Sequence, residues 1–352
     1  MHICHINLAK EFRGGERQTF LLMKGLSDNG ISQTLICRKH SPLEKKAKHI
    51  DGLQVIGINK PFLFHLNKTS HCDLLHVHEG RSTHSAFYNN LLRKIPYIIT
   101  RRIPNTPGSS FLTKQAYHTA THIVGLSNAI KQQLQNYDHN FKISIIPSMR
   151  SDFSYDPQTV EKLKRQYKDK IVVGHIGALV DQHKGQLTLI EAAKTLAVTH
   201  PNIHFLLLGN GKDEAWLKKE AGNLKNLTFE GFVENVGDYL KLFDIFIFPS
   251  REEGLGSILL DVMQFEIPII ASDVDGIPDI ISDHKNGLLI QPGNAEQLCE
   301  KILQVINDPL LSRRLTENAL EKVADYSMEK ITKEYLALYQ NLLQATSANK
   351  SK

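Results

Sequence analysis

The chain has few of the features that mark secreted, disulfide-bonded or membrane-spanning proteins. Among its 352 residues are four cysteines, at positions 4, 37, 72 and 299, without the paired spacing of a metal site or a redox motif. No uninterrupted apolar stretch approaches the ~20 residues that a membrane-spanning helix needs. The first residues also lack the apolar core of a secretory signal, so we expect a cytoplasmic protein with reduced thiols.

Acidic residues are scarce in the first part of the chain. Residues 1–150 contain 20 lysines and arginines against 8 aspartates and glutamates, a net charge of +12, whereas the remainder carries −7. The basic side chains cluster at positions 39–48 and 93–102. This uneven distribution predicts that the N-terminal part of the protein meets something anionic.

Short apolar runs alternate with amphipathic stretches along most of the chain. Strands are predicted at residues 3–7, 34–37, 53–58, 73–78, 97–100, 122–126 and 143–146, and again at 171–176, 203–208, 227–229, 244–248, 268–271 and 287–290. The alternation favours parallel sheets with helices on both faces. It predicts an α/β protein with two Rossmann-like domains that face each other across a cleft.

A polar stretch near residue 150 separates the two series and sets the predicted domain limits. We place the N-terminal domain at residues 1–150 and the second domain at residues 151–328. Residues 329–352 are predicted to form a C-terminal helix that packs back on the first domain, followed by a polar tail. Ligands of parallel sheets bind at the carboxyl ends of the strands, so we expect a site between the domains.

One stretch, residues 248–279, combines glycines, acidic side chains and an apolar helix. A glycine-rich loop at residues 252–256 contains Glu253 and precedes a helix predicted at residues 256–265. The glycines let a ligand approach the backbone, and the N–H groups of the first helical turn favour an anion. Asp261 lies in the middle of the helix, where an ionised carboxylate needs a partner. The stretch therefore predicts a site for a phosphorylated sugar.

This stretch resembles the signature of the retaining glycosyltransferases of family four, which have the two-domain GT-B fold. Their signature is a glutamate, seven residues and a second glutamate, followed by a strand and a turn of the type SDVGGIPE. Glu253 matches the first glutamate, Asp261 stands at the second position, and residues 272–274 and 276–279 match the turn. The resemblance implies that Glu253 is a catalytic residue in contact with the donor sugar and that Asp261 holds the ribose hydroxyls.

The same resemblance implies cationic groups for the diphosphate of the donor. Lys184 matches the family's lysine, whereas Ala178 stands where the family has an arginine. Lys184 is also predicted to open a helix, where the helix dipole disfavours a lysine unless an anion is bound. Arg101, Arg102 and Arg251 are candidates for the missing cation. We prefer Arg102, which follows a strand end in the first domain, and predict it as catalytic together with Lys184.

Glycines at three other strand ends complete the predicted donor site. Gly14-Gly15 follows the first strand, Gly209-Asn210-Gly211 follows the strand at 203–208, and Gly231-Phe232-Val233 follows a later one. The Gly-x-Gly turn lacks the third glycine of a nicotinamide-binding fingerprint, and an ordinary turn is the alternative for each motif. With the resemblance, the predicted donor-binding residues are Gly15, Gly209, Gly211, Val233, Gly254, Leu255, Gly256, Ser257 and Asp261.

Two patterns imitate metal sites. His76 and His78 lie on one face of a predicted strand, but no third ligand stands at a telling spacing. We therefore prefer structural or substrate-facing histidines to a metal pair. Asp273-Val274-Asp275 imitates an Asp-x-Asp motif, yet the resembled family has Asp-Val-Gly here and binds no catalytic metal. We expect no metal and no other cofactor.

The resemblance thus implies a retaining glycosyltransferase that moves a sugar from a nucleotide-diphosphate sugar to a glycan acceptor. The expected acceptor is a lipid-linked or phosphorylated envelope glycan, with lipopolysaccharide as the first candidate, and no nucleic-acid partner is expected. The basic N-terminal part predicts attachment to an anionic membrane surface at the inner leaflet of the cytoplasmic membrane. The alternatives are a nucleotide-sugar 2-epimerase, a sugar phosphorylase and a catalytically silent nucleotide-sugar-binding subunit.

Overall fold

Two separate parallel sheets organise the chain. The computed structural model describes residues 1–59 and 71–350, the last five by their backbone alone. One compact unit combines Met1–Met149 with Asp325–Lys352, and the other consists of Arg150–Ala324. The chain therefore leaves the first unit, builds the second unit and returns.

In its described residues, 1–59, 71–149 and 325–350, the first unit contains seven strands and the helices that follow them. The strands are β1 (His2–Asn7), β2 (Ser32–Arg38), β3 (Leu53–Ile58), β4 (Leu74–Val77), β5 (Tyr97–Arg101), β6 (His122–Gly125) and β7 (Ile143–Ile145). The helices are α1 (Gly14–Asp28), α2 (Pro42–Ala47), α3 (Thr83–Arg93), α4 (Phe111–His118) and α5 (Asn128–Tyr137). All strand pairs are parallel, in the order β3-β2-β1-β4-β5-β6-β7.

The C-terminal helix α15 (Met328–Lys350) belongs to the first unit and completes its core. Ile331, Tyr335 and Tyr339 are buried in a cluster that also contains apolar residues of α1. The two helices approach closely at Gly25, where a Cβ atom would lie 2.1 Å from Thr332 Oγ1. The packing of α15 against α1 therefore requires a small residue at position 25.

The second unit contains six strands and nine helices in Arg150–Ala324, all of which the structure describes. The strands are β8 (Ile171–Ile176), β9 (Ile203–Leu208), β10 (Leu227–Gly231), β11 (Ile245–Phe248), β12 (Ile269–Ser272) and β13 (Leu288–Ile290). The helices are α6 (Pro157–Gln166), α7 (Asp181–Lys184), α8 (Gln186–Thr199), α9 (Glu214–Ala221), α10 (Val236–Leu240), α11 (Ser257–Gln264), α12 (Ile277–Ile280), α13 (Ala295–Asn307) and α14 (Pro309–Val323). The parallel sheet has the order β10-β9-β8-β11-β12-β13.

Three inner strands of the second sheet are buried along their whole length, which explains why they read as nearly continuous apolar runs. Every residue of β9, β11 and β12 is buried. Parallel sheets have both faces covered by helices, so both faces of a strand must be apolar. The strands thus form a rigid base for the loops at their carboxyl ends.

Each sheet has one point where the strand order changes direction. This point lies between β1 and β4 in the first unit and between β8 and β11 in the second. Loops that leave neighbouring strands there diverge to opposite faces, and ligands of open α/β sheets bind in the crevice between them. A ligand site is therefore expected in each unit at the loops after these strands, β1 and β4 in the first unit and β8 and β11 in the second.

The predicted α/β class with two parallel-sheet domains is confirmed. The units change after Met149 and after Ala324, beside the predicted limits of 150 and 328. The short helices α2, α4 and α10 were not predicted, because five to eight residues give little periodicity. The helix α15 continues into the predicted polar tail as far as Lys350, and residues 351–352 lie outside the described residues. In residues 1–59 and 71–350, no helix has the length and apolar character needed to cross a membrane.

Candidate functional site

Two loops pack together at the carboxyl edge of the second sheet. One leads from β8 through the single-turn helix α7 to α8, and the other leads from β11 to α11. Between α7 and α8 lies Gly185, whose φ is 63° and whose added Cβ would lie 2.1 Å from the Pro249 carbonyl oxygen. A side chain there would separate the loops, so glycine permits the close approach.

An ion pair between Lys184 and Glu253 joins these loops. The side chains are 23% and 16% exposed, so both charges are largely removed from water and each depends on the other. The Lys184 ammonium also lies 5.1 Å from the centre of the Phe248 ring. The N–H group of Glu253 donates to Asp275 Oδ2 at 2.9 Å, which fixes the backbone beside the ion pair.

The prediction that Lys184 opens a helix and therefore needs a bound anion is wrong. Lys184 does not open α8; it ends the separate turn α7, and α8 begins at Gln186. Its charge is balanced by the Glu253 carboxylate. The two predicted catalytic residues of the second unit therefore lie together, although 69 positions separate them in the chain.

A second cationic side chain, Arg251, lies in the same pair of loops. Its backbone N–H donates to the His183 carbonyl oxygen at 2.8 Å. One guanidinium nitrogen lies 3.6 Å from Asp181 Oδ2. Lys184 and Arg251 thus belong to one edge of the second unit, whereas Arg102 belongs to the first unit.

Close packing against the loop after β8 requires the glycines of the Gly-x-Gly turn. A Cβ atom at Gly209 would lie 1.9 Å from the Gly177 carbonyl oxygen, and one at Gly211 would lie 2.2 Å from the Leu179 carbonyl oxygen. These contacts account for both glycines without a ligand, and their part in donor binding stays a prediction. Val233 is half-buried in the loop that follows β10.

The start of α11 carries the remaining predicted donor-binding residues. Gly254, Leu255 and Gly256 are buried, and Ser257 is half-buried at the first helical position. Asp261, in the middle of the helix, is 3% exposed, and its Oδ1 accepts a hydrogen bond of 2.5 Å from the Ser151 N–H. The partner that the buried carboxylate was expected to need is therefore supplied, at least in part, by the backbone of the protein itself. This hydrogen bond fastens α11 to the start of the second unit.

In the first unit, Gly15 and Arg102 lie in contact at the carboxyl edge of the sheet. A Cβ atom added to Gly15 would lie 3.4 Å from Arg102 Cδ. Burial lowers the pKa of Arg102, and its Nε has no hydrogen-bond partner in the part of the chain that the structure describes. The first unit thus presents one partly buried guanidinium group beside the N-terminus of α1.

A buried histidine cluster lies at the same edge. His5, His76 and His78 each offer a ligand atom, and these atoms lie within 4.8 Å of one another. His5 was not predicted as part of this group, because β1 and β4 become neighbours only in the folded sheet, where His5 pairs with His76. The available signal was that histidines occur near the ends of two apolar strands. Hydrogen bonds engage most of the ring nitrogens, so a metal would have to displace them.

Two family models match the chain, one for each unit. The family described as glycosyltransferase family 4 matches residues 12–149. The family described as glycosyl transferases group 1 matches residues 158–322. Together they span nearly all of both sheets.

Individual proteins are similar over most of the chain. A glycosyltransferase of Methanocaldococcus jannaschii is 29% identical over 283 residues, which are 77% of this chain and 76% of that protein. The lipopolysaccharide core biosynthesis glycosyltransferase LpsE of Rhizobium meliloti is 26% identical over 362 residues, covering 96% of this chain and 98% of that protein. The crystal structure of Anabaena HepE with UDP-glucose has a TM-score of 0.85 at 17% identity, covering 97% and 100%.

These matches define a protein with the GT-B fold. The protein is a glycosyltransferase, as predicted. The similarities favour this class over the alternatives of an epimerase, a phosphorylase or a silent binding subunit.

The close approach at Gly185 can be tested by adding a methyl group. We expect Gly185→Ala to lower the free energy of unfolding by about 1–3 kcal/mol, because the methyl group must displace the loop at Pro249. The matched control is Gly30→Ala just after α1, which has a similar φ of 69° but no atom within 4 Å of the added Cβ. Chemical denaturation measures both variants. Equal losses would show that backbone conformation, and not the contact between the loops, requires the glycine.

Proposed function

We propose that the protein is a retaining glycosyltransferase that binds a nucleotide-diphosphate sugar at the carboxyl edge of its second unit. The observation that carries the proposal is the ion pair between Lys184 and Glu253 at the point where the strand order changes. An ammonium group there suits a diphosphate, and a carboxylate accepts hydrogen bonds from sugar hydroxyls. One part of the unit thus offers both kinds of group that a nucleotide sugar needs.

Electrostatic stabilisation of the departing diphosphate is the main catalytic effect that these residues can supply. Lys184 and Arg251 bring positive charge, and the N–H groups at residues 255–257 face the same ligand from the start of α11. Preorganised charges and dipoles of this kind are usually the largest contribution to catalysis. Arg102, preferred from the sequence, stays the proposed replacement for the arginine missing at Ala178, and Arg251 adds positive charge in the same loops as Lys184.

Retention follows from attack on the same face of the sugar that the diphosphate leaves. No covalent intermediate on the protein is required, and Glu253 contacts the donor sugar without acting as the nucleophile. The phosphates are met by cationic side chains and by N–H groups, so no metal is required. The anomeric configuration of the product tests the retention.

The relatives suggest which substrates to test first. The name of LpsE places that protein in lipopolysaccharide core biosynthesis, and HepE binds UDP-glucose in its crystal structure. For this chain we propose an envelope glycan as acceptor, lipid-linked or phosphorylated, with lipopolysaccharide as the first candidate. A UDP-sugar is the first donor to examine.

The donor can be identified by thermal shift and then by turnover. We expect one of a panel of UDP-, GDP- and ADP-sugars to raise the melting temperature, because a ligand at about 100 times its Kd adds about 2.7 kcal/mol to the stability. Hydrolysis of that donor should continue in EDTA. When an alcohol acts as the acceptor in place of water, the glycoside that forms should have the anomeric configuration of the donor. Loss of turnover in EDTA with recovery in a divalent cation would return Asp273 and Asp275 to the site. An inverted product would end the retaining mechanism.

Asp261 is proposed to hold the ribose hydroxyls in addition to the Ser151 N–H. We expect Asp261→Asn to weaken nucleotide binding by about 1.5–3 kcal/mol, the range for hydrogen bonds to charged groups. The variant should fold, because the amide oxygen can still accept from Ser151. Isothermal titration measures the affinity. Asp244→Asn is the control, since Asp244 accepts a backbone N–H from Val172 at the opposite end of the sheet. Unchanged affinity in folded Asp261→Asn would exclude the ribose contact.

The first unit is proposed to rest on an anionic membrane surface. At the end of α3, Leu91 and Leu92 are 52% and 67% exposed, and exposed Arg93 and Lys94 follow them. Apolar side chains beside cations suit the headgroup region of an anionic bilayer. Arg101, which was predicted to share this role, instead donates to the Asn105 carbonyl oxygen at 2.6 Å and is half-buried.

Charge reversal at the end of α3 tests the membrane proposal. Each cation near the surface contributes about 1 kcal/mol, so Arg93→Glu/Lys94→Glu should lower binding to anionic vesicles about tenfold or more. Binding of the unaltered protein should fall as salt rises, because exposed charges are screened over ~8 Å at physiological ionic strength. The control is Lys218→Glu/Lys219→Glu on α9 of the second unit. Equal sedimentation with neutral and anionic vesicles would refute the membrane surface.

A further inference from the structure

The hydrogen bonds around the histidine cluster define where its protons lie. Gln33 Nε2 donates to the Met23 carbonyl oxygen at 2.9 Å, which fixes the orientation of the Gln33 amide. The amide oxygen of Gln33 then faces His5 Nε2 at 3.1 Å. Because an amide oxygen can only accept, His5 Nε2 must carry the proton.

The second step passes from His5 to His78. Burial lowers the pKa of His5 to about 4 and the pKa of His78 well below its ordinary value, so both rings are neutral near pH 7. A neutral His5 with its proton on Nε2 has a lone pair on Nδ1. His5 Nδ1 lies 2.9 Å from His78 Nε2, so His78 Nε2 donates and carries the proton. His78 Nδ1 is left as an acceptor.

The third histidine fixes the position of the ring of His78. His76 Nδ1 lies 2.7 Å from the Tyr339 hydroxyl, and its Nε2 lies 2.7 Å from Thr100 Oγ1. The rings of His76 and His78 have centroids 3.9 Å apart. His78 is therefore packed against a ring that is itself held at both nitrogens.

Among the buried polar atoms at this edge, His78 Nδ1, an acceptor, and Arg102 Nε, a donor, have no hydrogen-bond partner within residues 1–59 and 71–350. A buried acceptor without a partner is costly, and the cost is removed when a ligand supplies an O–H or N–H group. Arg102 lies close enough for its positive charge to contribute to the lowered pKa of His78.

We propose that Gln33 and His5 are positioning residues that hold His78 as the Nε2–H tautomer, so that its Nδ1 accepts a hydrogen bond from a substrate hydroxyl. Only the identity of the bound hydroxyl group, as one of the substrate, depends on the proposed function. The tautomer of His78 can be measured in the protein without any ligand. A wrong tautomer can therefore be told apart from a wrong function.

Histidine tautomers are read directly by long-range ¹H–¹⁵N correlation spectra of protein labelled with [¹⁵N]histidine. In the ligand-free protein we expect a pyridine-type Nδ1 and a pyrrole-type Nε2 for His78, assigned by their loss in His78→Gln. In Gln33→Leu the signals should move toward a mixture of tautomers. The matched control is Gln54→Leu on the neighbouring strand β3, which should leave them unchanged. A protonated Nδ1 in the unaltered protein, or an unchanged spectrum in Gln33→Leu, would overturn the proposal.

Turnover shows whether the tautomer matters to the reaction. Hydrolysis of the donor identified by thermal shift should fall about two- to tenfold in Gln33→Leu, which is the effect of one lost hydrogen bond. His5→Asn keeps an oxygen acceptor near the place of Nδ1 and should retain more activity than His5→Leu. A shifted tautomer with unchanged turnover would remove the positioning role.

Metal binding is the competing interpretation of the three histidines. If Co²⁺ stays bound through gel filtration in the unaltered protein and not in His5→Leu, the histidines form a metal site and the hydrogen-bonded arrangement is refuted.

Discussion

The contact between Lys184 and Glu253 is the interaction on which the proposed site depends. Two charges that are mostly removed from water stabilise the protein only when they are paired, so each fixes the position of the other. The contact exists because Gly185 has no side chain and the two loops can approach to van der Waals distance. An anion bound at this edge would compete with the Glu253 carboxylate for the Lys184 ammonium group.

The parallel sheets place these loops where they can act together. Strands that leave the middle of a parallel sheet carry their loops to opposite faces, and a crevice remains between them. In the second unit β8 and β11 lead to Lys184 and Glu253. In the first unit β1 and β4 lead to the α1 start and to His78. Because helices cover both faces of each sheet, the strands are closely packed and hold the ends of these loops in fixed positions.

The end of the chain takes part in the edge of the first unit. Tyr339 comes from α15, which follows the whole second unit in sequence, and its hydroxyl group contacts His76 inside the first unit. A buried tyrosine hydroxyl needs a hydrogen-bond partner, and a neutral histidine supplies one. Tyr335 and Tyr339 therefore serve both as core residues and as supports for the histidine cluster. Truncation of α15 would disturb this edge as well as the core.

The sequence by itself determined the class of fold and most of the charged side chains of the candidate site. Alternation of apolar runs with amphipathic stretches depends only on local conformation and on which faces are buried, so the two parallel sheets could be predicted. Asp261 was visible because a carboxylate inside an apolar helix is costly without a partner. The predicted roles of Lys184 and Glu253 came instead from the resemblance to the glycosyltransferase signature.

Only the tertiary structure decided which groups are partners. Lys184 pairs with a carboxylate 69 positions away, and Asp261 holds an N–H group 110 positions away. His5 joins the other two histidines because β1 lies beside β4, a neighbour that no local pattern specifies. The physical reason is that strand order and loop contacts are set by the packing of the whole unit, and hydrogen-bond and charge partners follow from that packing.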